Sequence, residues 1–419
     1  MDVGYCLHLL RIHRVQKSVL CVVAQESREE TGTGPAQAAL HDQHNSSLRL
    51  QRENTNFALR LFKLIAAQPK YQYKNVFFSP LSVSTALAAL SLGARGLTHQ
   101  DLFSGLGFNV SDLTQEEVHQ GFHEILQNLR QKKLVDVKAG NGLFVSDQFK
   151  PHSEFLENVK ELYFSEGFTT DFTKTPEAVH QINNYVKDKT VGKISDLVEN
   201  LDPATAMYLV SYIYFKGKWD VPFDPKDTVD DTFNVNESTT VRVKMMRNQD
   251  EFDVFYDQTL STQVLMLQYS ESVSMMLALP DDGLEALEKA VSPEHVAKWH
   301  RWMKKKECIV TIPKLSIKTS YPLKDVLGDM GFKDIFSRSA NFTGISEGPL
   351  FLSEVVHKAT LDVDEAGATA TAATGVQITL LSYRPMGILK FDRPFLVVIF
   401  NQDTKSILFL GKIVNPKEK

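Results

Sequence analysis

Three features are scarce in this 419-residue sequence: cysteine, long apolar runs and an excess of one charge sign. The only cysteines are Cys6, Cys21 and Cys308, which excludes a small fold held by several disulfides. No apolar run approaches the roughly 18 residues that a membrane helix needs. The 46 basic and 51 acidic residues leave a net charge of −5. We therefore expect a chain stabilised by its core, with no membrane span and no nucleic-acid partner.

The absence of charge from one long segment also bears on function. Residues 366–383 contain no charged side chain, and the first half of this segment is almost entirely Ala and Thr. With a period of two, Ala368, Ala370 and Ala372 share one face of an extended chain. Side chains this small let a strand enter between two existing strands without overpacking the core beneath. The segment is therefore suited both to an exposed loop and to an inserted strand.

The first 53 residues of the chain have a different character from the rest. The apolar stretches of residues 1–25 are shorter than a usual signal core, so this part is interpreted as an atypical leader or a candidate signal segment. Residues 26–53 are rich in Glu, Gln, Gly, Ser and Thr, which predicts a flexible tail. Residues 54–419 have a globular pattern without a long linker, which predicts a single domain.

The order of the predicted elements indicates an α+β fold. Residues 80–94 are apolar or small on all sides, which predicts a buried helix. Residues 114–133 begin with acidic and end with basic side chains, which suits a helix dipole. Strand pairs come later, at 264–269 with 273–279 and at 395–400 with 406–410. Helices early and antiparallel strand pairs late are typical of α+β proteins rather than of a doubly wound sheet.

Six short motifs lie at residues 77–82, 182–185, 215–219, 355–359, 389–396 and 408–416. Together they resemble the serpin family, over roughly residues 54–419. Within that family the chain is similar to the plasma clade of antitrypsins, antichymotrypsins and kallistatins. The resemblance implies three β-sheets, eight or nine helices and a metastable, secreted, monomeric molecule that is not an enzyme. It also implies an exposed reactive-centre loop, about residues 365–389, which serves as protease bait.

The family resemblance assigns a hinge to the start of this loop. Family inhibitors need small, uncharged side chains there, because the hinge enters the sheet first. Ala368 stands where Thr is usual and Thr369 where Glu is frequent, and neither change adds bulk or charge to the face that would be buried. The hinge residues are Glu365, Gly367, Ala368, Thr369, Ala370, Thr371, Ala372 and Ala373.

The resemblance also locates the bond that a protease would cut. Counting from Glu365 as in family inhibitors gives a reactive bond between Leu381 and Ser382. A Leu side chain fits the apolar specificity pocket of a chymotrypsin-like serine protease and lacks the cation that a trypsin-like pocket requires. Tyr383, Arg384 and Met386 remain alternative cleavage points. The expected function is inhibition of such a protease as a suicide substrate, without a catalytic residue, metal or cofactor in this chain.

Other residues match family positions outside the loop. A polar cluster under the opening strands and an aromatic residue at the top of the sheet are expected to control sheet opening. Their positions are Ser79, Ser82, Asn183, His357 and Trp219. Four Asn-X-Ser/Thr sequons, compatible with secretion, predict glycosylation at Asn45, Asn109, Asn236 and Asn341.

A dense group of cations surrounds Trp299 and Trp302. Kallistatin and protein C inhibitor bind heparin through a similar region, so these cations are a candidate heparin or glycosaminoglycan site. A solvated helix end explains the same residues equally well. The candidate heparin-binding residues are Lys298, Arg301, Lys304, Lys305 and Lys306.

Three competing interpretations remain. Thyroxine-binding and corticosteroid-binding globulins resemble the same span, so a non-inhibitory carrier of a small hydrophobic hormone is the alternative function. Residues 344–348 fit the G-x-S-x-G elbow of hydrolases around Ser346, but the strand and helix that this motif needs are not expected there. His119 and His123 are one helical turn apart, yet no third metal ligand is evident, and a solvated helix face is favoured.

Overall fold

Nine α-helices and fourteen β-strands make up the part of the chain that the structure describes. The structure is a computed structural model, and it describes residues 35–109, 111–366 and 387–418, with side chains from Ser46 onward. The predicted leader, the hinge from Gly367 onward, the Leu381–Ser382 bond and the Asn45 side chain lie outside these residues. Arg49–Lys419 and Met1–Leu48 are two separate compact units.

The helices and strands alternate along the first half of the chain, and strands dominate the second half. The helices are α1 (Pro35–Ala66), α2 (Pro80–Ser91), α3 (Gly96–Leu106), α4 (Gln115–Gln131), α5 (Ser153–Tyr163), α6 (Thr175–Lys189), α7 (Leu284–Ala290), α8 (Pro293–Trp302) and α9 (Lys324–Asp329). The strands are β1 (Val76–Phe78), β2 (Asp136–Ser146), β3 (Glu166–Thr170), β4 (Met207–Lys216), β5 (Val229–Asn234), β6 (Thr240–Asp257), β7 (Thr262–Tyr269), β8 (Val273–Pro280), β9 (Lys304–Pro313), β10 (Leu315–Pro322), β11 (Glu354–Val363), β12 (Gly387–Lys390), β13 (Phe395–Asn401) and β14 (Ser406–Ile413).

The strands form two hydrogen-bonded sheets. The five-stranded sheet has the order β10-β11-β4-β2-β3. The nine-stranded sheet has the order β1-β14-β13-β8-β7-β6-β9-β12, with β5 also paired to β6. Two of the three expected sheets are therefore joined. The junction is β6, because one edge of this long strand pairs with β5 and then β7, while the other edge pairs with β9.

Helix α2 lies between the two sheets and begins directly below the five-stranded one. All of its residues are buried, and it contacts β2 and β4 on one side and β14 on the other. The Ser79 side chain caps the helix by accepting from the Ser82 backbone N–H (3.1 Å), and Pro80 occupies its first position. The apolar pattern thus predicts this helix correctly, because burial on every side requires apolar or small residues all around.

The link between α4 and β2 is held by one carboxylate. Glu271, in the turn between β7 and β8, accepts hydrogen bonds from the backbone N–H groups of Lys133 (2.8 Å), Leu134 (2.6 Å) and Val135 (3.2 Å). Burial alone would raise the pKa of Glu271, but these hydrogen bonds outweigh it and lower the pKa below its usual value. The position of β2 is therefore tied to the nine-stranded sheet.

The first helix begins earlier than the sequence predicts. Residues 35–53 are assigned to a flexible tail from their composition, whereas α1 already begins at Pro35 and runs to Ala66. Pro35 suits a first helical position, and the Ala and Leu residues that follow are strong helix formers. Leu50 is buried, so the core also begins before Asn54. None of the helices in the described residues has the length and apolar character needed to cross a bilayer.

Candidate functional site

The centre of the five-stranded sheet is a pair of parallel strands. β4 and β11 are directly hydrogen-bonded from Tyr208 opposite Glu354 to Lys216 opposite Asp362. We call this pair the seam. β4 and β11 are far apart in sequence, and β11 leads directly into residues 364–366 and then the undescribed residues 367–386. The chain returns at β12, on the edge of the nine-stranded sheet. The predicted bait loop thus starts at the end of a seam strand.

A buried histidine bridges the seam near its middle. His357 of β11 lies directly opposite Ser211 of β4, and its Nδ1 is 3.0 Å from the Ser211 hydroxyl oxygen. The Ser79 backbone N–H donates to Nε2 (2.9 Å), so the ring proton must be on Nδ1, which donates to Ser211. Burial lowers the pKa of His357 to about 3, so the ring is neutral at physiological pH. This one side chain joins both seam strands and the start of α2.

Other polar contacts cross the seam or cover it. The Tyr214 hydroxyl donates to the Asp362 carboxylate (3.3 Å), joining β4 to β11. The Lys358 ammonium on β11 donates to the Asp196 carboxylate (3.1 Å) in the segment that follows α6. The Lys358–Asp196 contact ties residues 190–206, which we call the strap, to β11. The strap packs over the seam, so a strand that enters the seam would have to pass beneath it.

Trp219 fixes the chain that leaves the top of the seam. Its ring N–H donates to the Asp364 carbonyl (2.7 Å) and its backbone N–H to the Ala366 carbonyl (3.0 Å). The buried indole stacks on Tyr269 with ring centres 3.9 Å apart. The Phe223 backbone N–H donates to the Glu365 carbonyl (3.2 Å). The start of the predicted hinge is therefore anchored through its backbone.

The Glu365 side chain adds a second anchor. Its carboxylate accepts from the Lys314 ammonium (2.7 Å) and from the Thr228 hydroxyl (2.8 Å). Burial by itself would raise the pKa of Glu365, but Lys314 and Thr228 lower it below its usual value. The carboxylate is therefore ionised at neutral pH and holds the first hinge residue against Lys314, which lies between β9 and β10. The neighbouring Asp364 pairs with Lys216 (2.7 Å) in the same way.

Comparisons with known proteins decide the family. The family model described as serpin (serine protease inhibitor) matches residues 52–416. The chain is a serpin. It is 42% identical over 401 residues to an alpha-1-antitrypsin-like protein of Tamias sibiricus, covering 95% of both chains. The structure of human thyroxine-binding globulin complexed with thyroxine has a TM-score of 0.83 at 37% identity, covering 89% of this chain and 100% of that one. Human glycosylated kallistatin has a TM-score of 0.82 at 39% identity, with the same coverages.

These findings confirm two expectations from the sequence. The chain has the serpin fold, with nine helices in its described residues and a mixture of sheets. Its antitrypsin-like relatives and the kallistatin structure match the plasma clade that the motifs indicated. The loop of this serpin, which contains the predicted reactive bond, lies outside the described residues, so the bond remains a proposal.

The polar cluster under the seam differs from the one predicted. Ser79 and His357 are in direct contact, and the Ser79 side chain accepts from the Ser82 backbone N–H, but Asn183 is not part of this cluster. Asn183 lies on α6 and bonds to the backbone of Val198, donating through its amide nitrogen (2.8 Å) and accepting through its oxygen (2.9 Å). It thereby holds the strap against α6. Ser211 takes the predicted place of Asn183, and no sequence motif indicated it.

The candidate heparin cations divide into two groups. Lys298 on α8 is paired with the fully buried carboxylate of Asp257 (2.9 Å). Arg301 and the three lysines Lys304, Lys305 and Lys306 are exposed, and the lysines lie on β9 beyond the point where β12 pairs with it. Trp302 beside them is 56% exposed. The surface thus offers four exposed cations and an exposed ring, whereas Lys298 is occupied.

The three described sequons share one local geometry. Asn109, Asn236 and Asn341 are exposed. In each, the Asn side-chain oxygen accepts from the backbone N–H of the sequon Ser or Thr, at 3.1, 3.0 and 3.2 Å respectively. Asn236 and Asn341 also accept from the Ser238 and Thr343 hydroxyls. These Asx turns leave the side chains accessible to a modifying enzyme.

Two competing motifs have structural roles. Ser346 is 3% exposed and lies in a turn without a preceding strand or a following helix, so it cannot serve as a hydrolase nucleophile. His119 is buried rather than solvated, and its Nδ1 is 2.5 Å from the Tyr163 hydroxyl. Burial lowers the pKa of His119 to about 4. The described residues contain no group of three side chains that could ligate a metal.

A first prediction concerns the pH dependence of the seam. The pKa of His357 is about 3 in the folded chain and near 6.5 in an unfolded one, so the unfolded chain binds more protons between these values. Stability should therefore fall as pH drops from about 6.5 toward 3. His357→Ala should lower the free energy of unfolding at pH 7 by about 2–3 kcal/mol, because it removes the partner of the Ser79 backbone N–H and of the Ser211 hydroxyl. It should also flatten the pH dependence in that window.

Urea unfolding of the intact protein at pH 7, 6, 5 and 4 provides the measurement. His180→Ala is the matched control, since His180 is exposed on α6. Equal pH dependence in the His357 variant and the unaltered protein would contradict the assignment of His357 as the buried neutral bridge.

Proposed function

We propose that this serpin is a secreted inhibitor of chymotrypsin-like serine proteases that acts as a suicide substrate. The observation that carries the proposal is the seam, in which two parallel strands are neighbours and one of them continues into an uncharged Ala/Thr segment. The chain itself supplies no catalytic group. Protease inhibition is the activity of the family, whereas the target class and the bond are specific to this chain.

The geometry of the seam favours insertion of that segment. A segment that follows β11 and folds back would run antiparallel to both β4 and β11. Insertion would replace one parallel ladder by two antiparallel ladders, which are slightly more stable per residue. Reactive-loop insertion in serpins is a recognised case of strand addition. About 15 residues, from 367 to 381, span roughly 50 Å as a strand, which is enough to reach along the sheet.

The energy available from this change is large compared with ordinary stability differences. Roughly a dozen additional ladder hydrogen bonds at about 1 kcal/mol each give on the order of 10 kcal/mol, before any apolar burial. Against this stand the contacts that must break. Neighbouring strands are about 4.8 Å apart, so an inserted strand roughly doubles the separation of β4 and β11 and breaks the His357–Ser211 hydrogen bond. The same separation detaches Tyr214 from Asp362.

The proposed reaction follows from these contacts. The protease serine attacks the Leu381 carbonyl, forms an acyl-enzyme and releases the new amino terminus at Ser382. The freed segment leaves its anchors at Trp219 and Lys314 and enters the seam, beginning at the hinge. The protease, still bound through Leu381, is carried along the sheet, and its site is distorted before water completes the hydrolysis. His357, Trp219 and the strap held by Asn183 and Lys358 set the barrier to this step.

A second prediction tests the reaction and the hinge together. Chymotrypsin should give a complex with this serpin that survives boiling in detergent, together with a new amino terminus at Ser382. Ala368→Arg should convert the inhibitor into a plain substrate, because residue 368 faces the core in the inserted strand. Thr369→Arg is the matched control, since residue 369 faces solvent and should form the complex nearly as well.

Gel electrophoresis and amino-terminal sequencing read out both results. Cleavage without a stable complex in the unaltered protein would contradict the inhibitor proposal. Equal behaviour of the two arginine variants would contradict the assignment of faces in the hinge. Cleavage after Tyr383, Arg384 or Met386 would move the reactive bond without overturning the mechanism.

Secretion and glycan binding belong to the same proposal. A relative that is 42% identical is described as a hibernation-specific plasma protein of Tamias sibiricus. The three exposed sequons of the described residues are compatible with passage through the secretory pathway. The four exposed cations beside Trp302 support binding of heparin or another sulfated glycosaminoglycan.

A third prediction addresses that surface. Replacing Lys304, Lys305 and Lys306 by Gln should lower the salt concentration at which the protein elutes from a heparin column, because three exposed cations are lost. Replacing the exposed lysines Lys150, Lys187 and Lys226 instead is the charge-matched control. The same elution from both triple variants would show that the column senses net charge and not this surface.

The second candidate function is that of a hormone carrier, and one structural observation favours it. A cleft of about 620 Å³ lies between α1, α7 and the nine-stranded sheet, lined in part by Ala66, Val235, Leu284 and Pro394. Glu288 in its wall pairs with the buried ammonium of Lys412 (3.1 Å). The neighbouring globulin structure holds thyroxine. A thyroxine titration followed by tryptophan fluorescence distinguishes the candidates, since a carrier should saturate at micromolar ligand and a pure inhibitor should show no saturation.

A further inference from the structure

One edge of the five-stranded sheet has no partner strand among the described residues. β10 is the outermost strand of this sheet and pairs with β11 on one side only. In an antiparallel ladder, every second residue directs its backbone N–H and C=O groups away from the neighbouring strand. The outer edge of β10 therefore presents a regular row of backbone donors and acceptors.

The register of β10 and β11 shows which residues face outward. Just beyond the end of β10, the Leu323 N–H donates to the opposite Val355 carbonyl (2.8 Å), so the odd-numbered residues exchange hydrogen bonds with β11. Pro322 agrees with this assignment, because a residue without an N–H is tolerated only where that N–H would face away from the ladder. The N–H and C=O groups of Lys318 and Ser320 consequently point away from the sheet.

A groove of about 180 Å³ runs beside this edge. It is lined by residues 317–321 of β10, by Tyr71 and Lys74 from the segment between α1 and β1, and by Glu418 near the carboxy terminus. The Tyr71 ring meets the Tyr321 ring edge-on, with ring centres 5.2 Å apart, which holds that segment beside β10. The groove therefore gives an extended chain access to the outward backbone groups.

Positive charge dominates the groove. Lys74 and Lys318 line it, both are exposed, and neither has an acidic partner among the described residues. Lys70 lies nearby, with its ammonium 4.7 Å from the centre of the Tyr71 ring. Glu418 is the one carboxylate in the lining, and it already accepts from a backbone N–H (3.2 Å). Two ammonium groups are therefore available to carboxylates of an incoming chain.

The charge of the groove selects its occupant. An exposed strand edge tends to pair with the same edge of another copy, and lysines along the edge oppose this pairing through mutual repulsion. A second copy of the chain would bring Lys74 and Lys318 against the same two lysines. A strand that carries carboxylates would instead gain charge-assisted hydrogen bonds.

We propose that the outer edge of β10 binds an acidic, extended segment of a partner protein, which adds a sixth strand to the five-stranded sheet. The backbone of this segment pairs with Lys318 and Ser320, and its carboxylates contact the ammonium groups of Lys74 and Lys318. Backbone pairing supplies affinity, and the lysines supply the preference for acidic segments. β10 and β11 separate this edge from the seam, so binding does not depend on the proposed inhibition.

The test uses fluorescein-labelled pentapeptides and fluorescence anisotropy with the unaltered full-length protein. The acidic peptide alternates Glu and Thr, so that its carboxylates share one face of the strand. Replacing each Glu by Lys should weaken binding at least about tenfold, because the charge is reversed. Methylating every backbone nitrogen keeps the charge but removes the donors, and should weaken binding at least about fivefold. These comparisons do not depend on how any variant folds.

Two pairs of variants locate the site. Ser320→Pro removes an outward N–H and leaves the ladder with β11 intact, so it should weaken binding at least about fivefold. Ser320→Ala keeps this N–H and should bind like the unaltered protein. Lys318→Gln should weaken binding about threefold to tenfold. Lys333→Gln removes an exposed lysine that does not line the groove, and should leave binding unchanged.

The outcomes that would overturn the proposal are distinct. No binding of the acidic peptide at about 1 mM, equal binding of either control peptide, or equal affinity within either pair of variants would each do so. Analytical ultracentrifugation of the protein alone covers the other occupant. A dimer that Ser320→Pro abolishes and Ser320→Ala preserves would assign the edge to a second copy of the chain instead.

Discussion

The structure depends on one constraint: β4 and β11 are parallel neighbours with nothing between them, although the chain that continues from β11 is suited to that position. Parallel strands cannot be joined by a short turn, so the seam brings together distant parts of the sequence. His357 holds the seam on the face that packs against α2, through its hydrogen bonds with Ser79 and Ser211. Trp219 and Lys314 hold the residues that follow β11 at the top of the seam. Each of these contacts must be broken before a strand can enter.

This arrangement explains why polar groups are buried at the centre of the molecule. A neutral histidine in an apolar setting is costly to charge, and it has two partners only while the sheet is closed. A purely apolar seam would leave no directional contact to break. The strap formed by the segment after α6 works from the opposite face, because Asn183 ties it to the helix and Lys358 ties it to β11. Under the proposed mechanism, stability and inhibition depend on the same small set of hydrogen bonds.

Local features were predictable from the sequence, and long-range contacts were not. The buried helix α2 and the strand pairs β7–β8 and β13–β14 follow from periodicity, and α4 follows from its acidic start, where Thr114 and Glu117 form a capping box. The family motifs placed Ser79 and His357 together under the opening strands and Trp219 at the top of the sheet; Ser79 does contact His357, and Trp219 does contact the chain that leaves β11. Their control of sheet opening stays a prediction. The motifs misplaced Asn183, because a side chain on an amphipathic helix gives no sign of which backbone it meets. Ser211 and Glu271 were missed for a different reason, since their partners are separated from them by well over a hundred residues.

The thermal stability of the molecule before and after a single cut in the bait segment tests the central claim most directly. If the closed seam is not the state of lowest free energy, cutting at Leu381–Ser382 lets the freed segment add a strand between β4 and β11. About 10 kcal/mol of added stability should then raise the melting temperature by about 15 °C or more. A cut protein that melts at or below the temperature of the intact one would contradict the account.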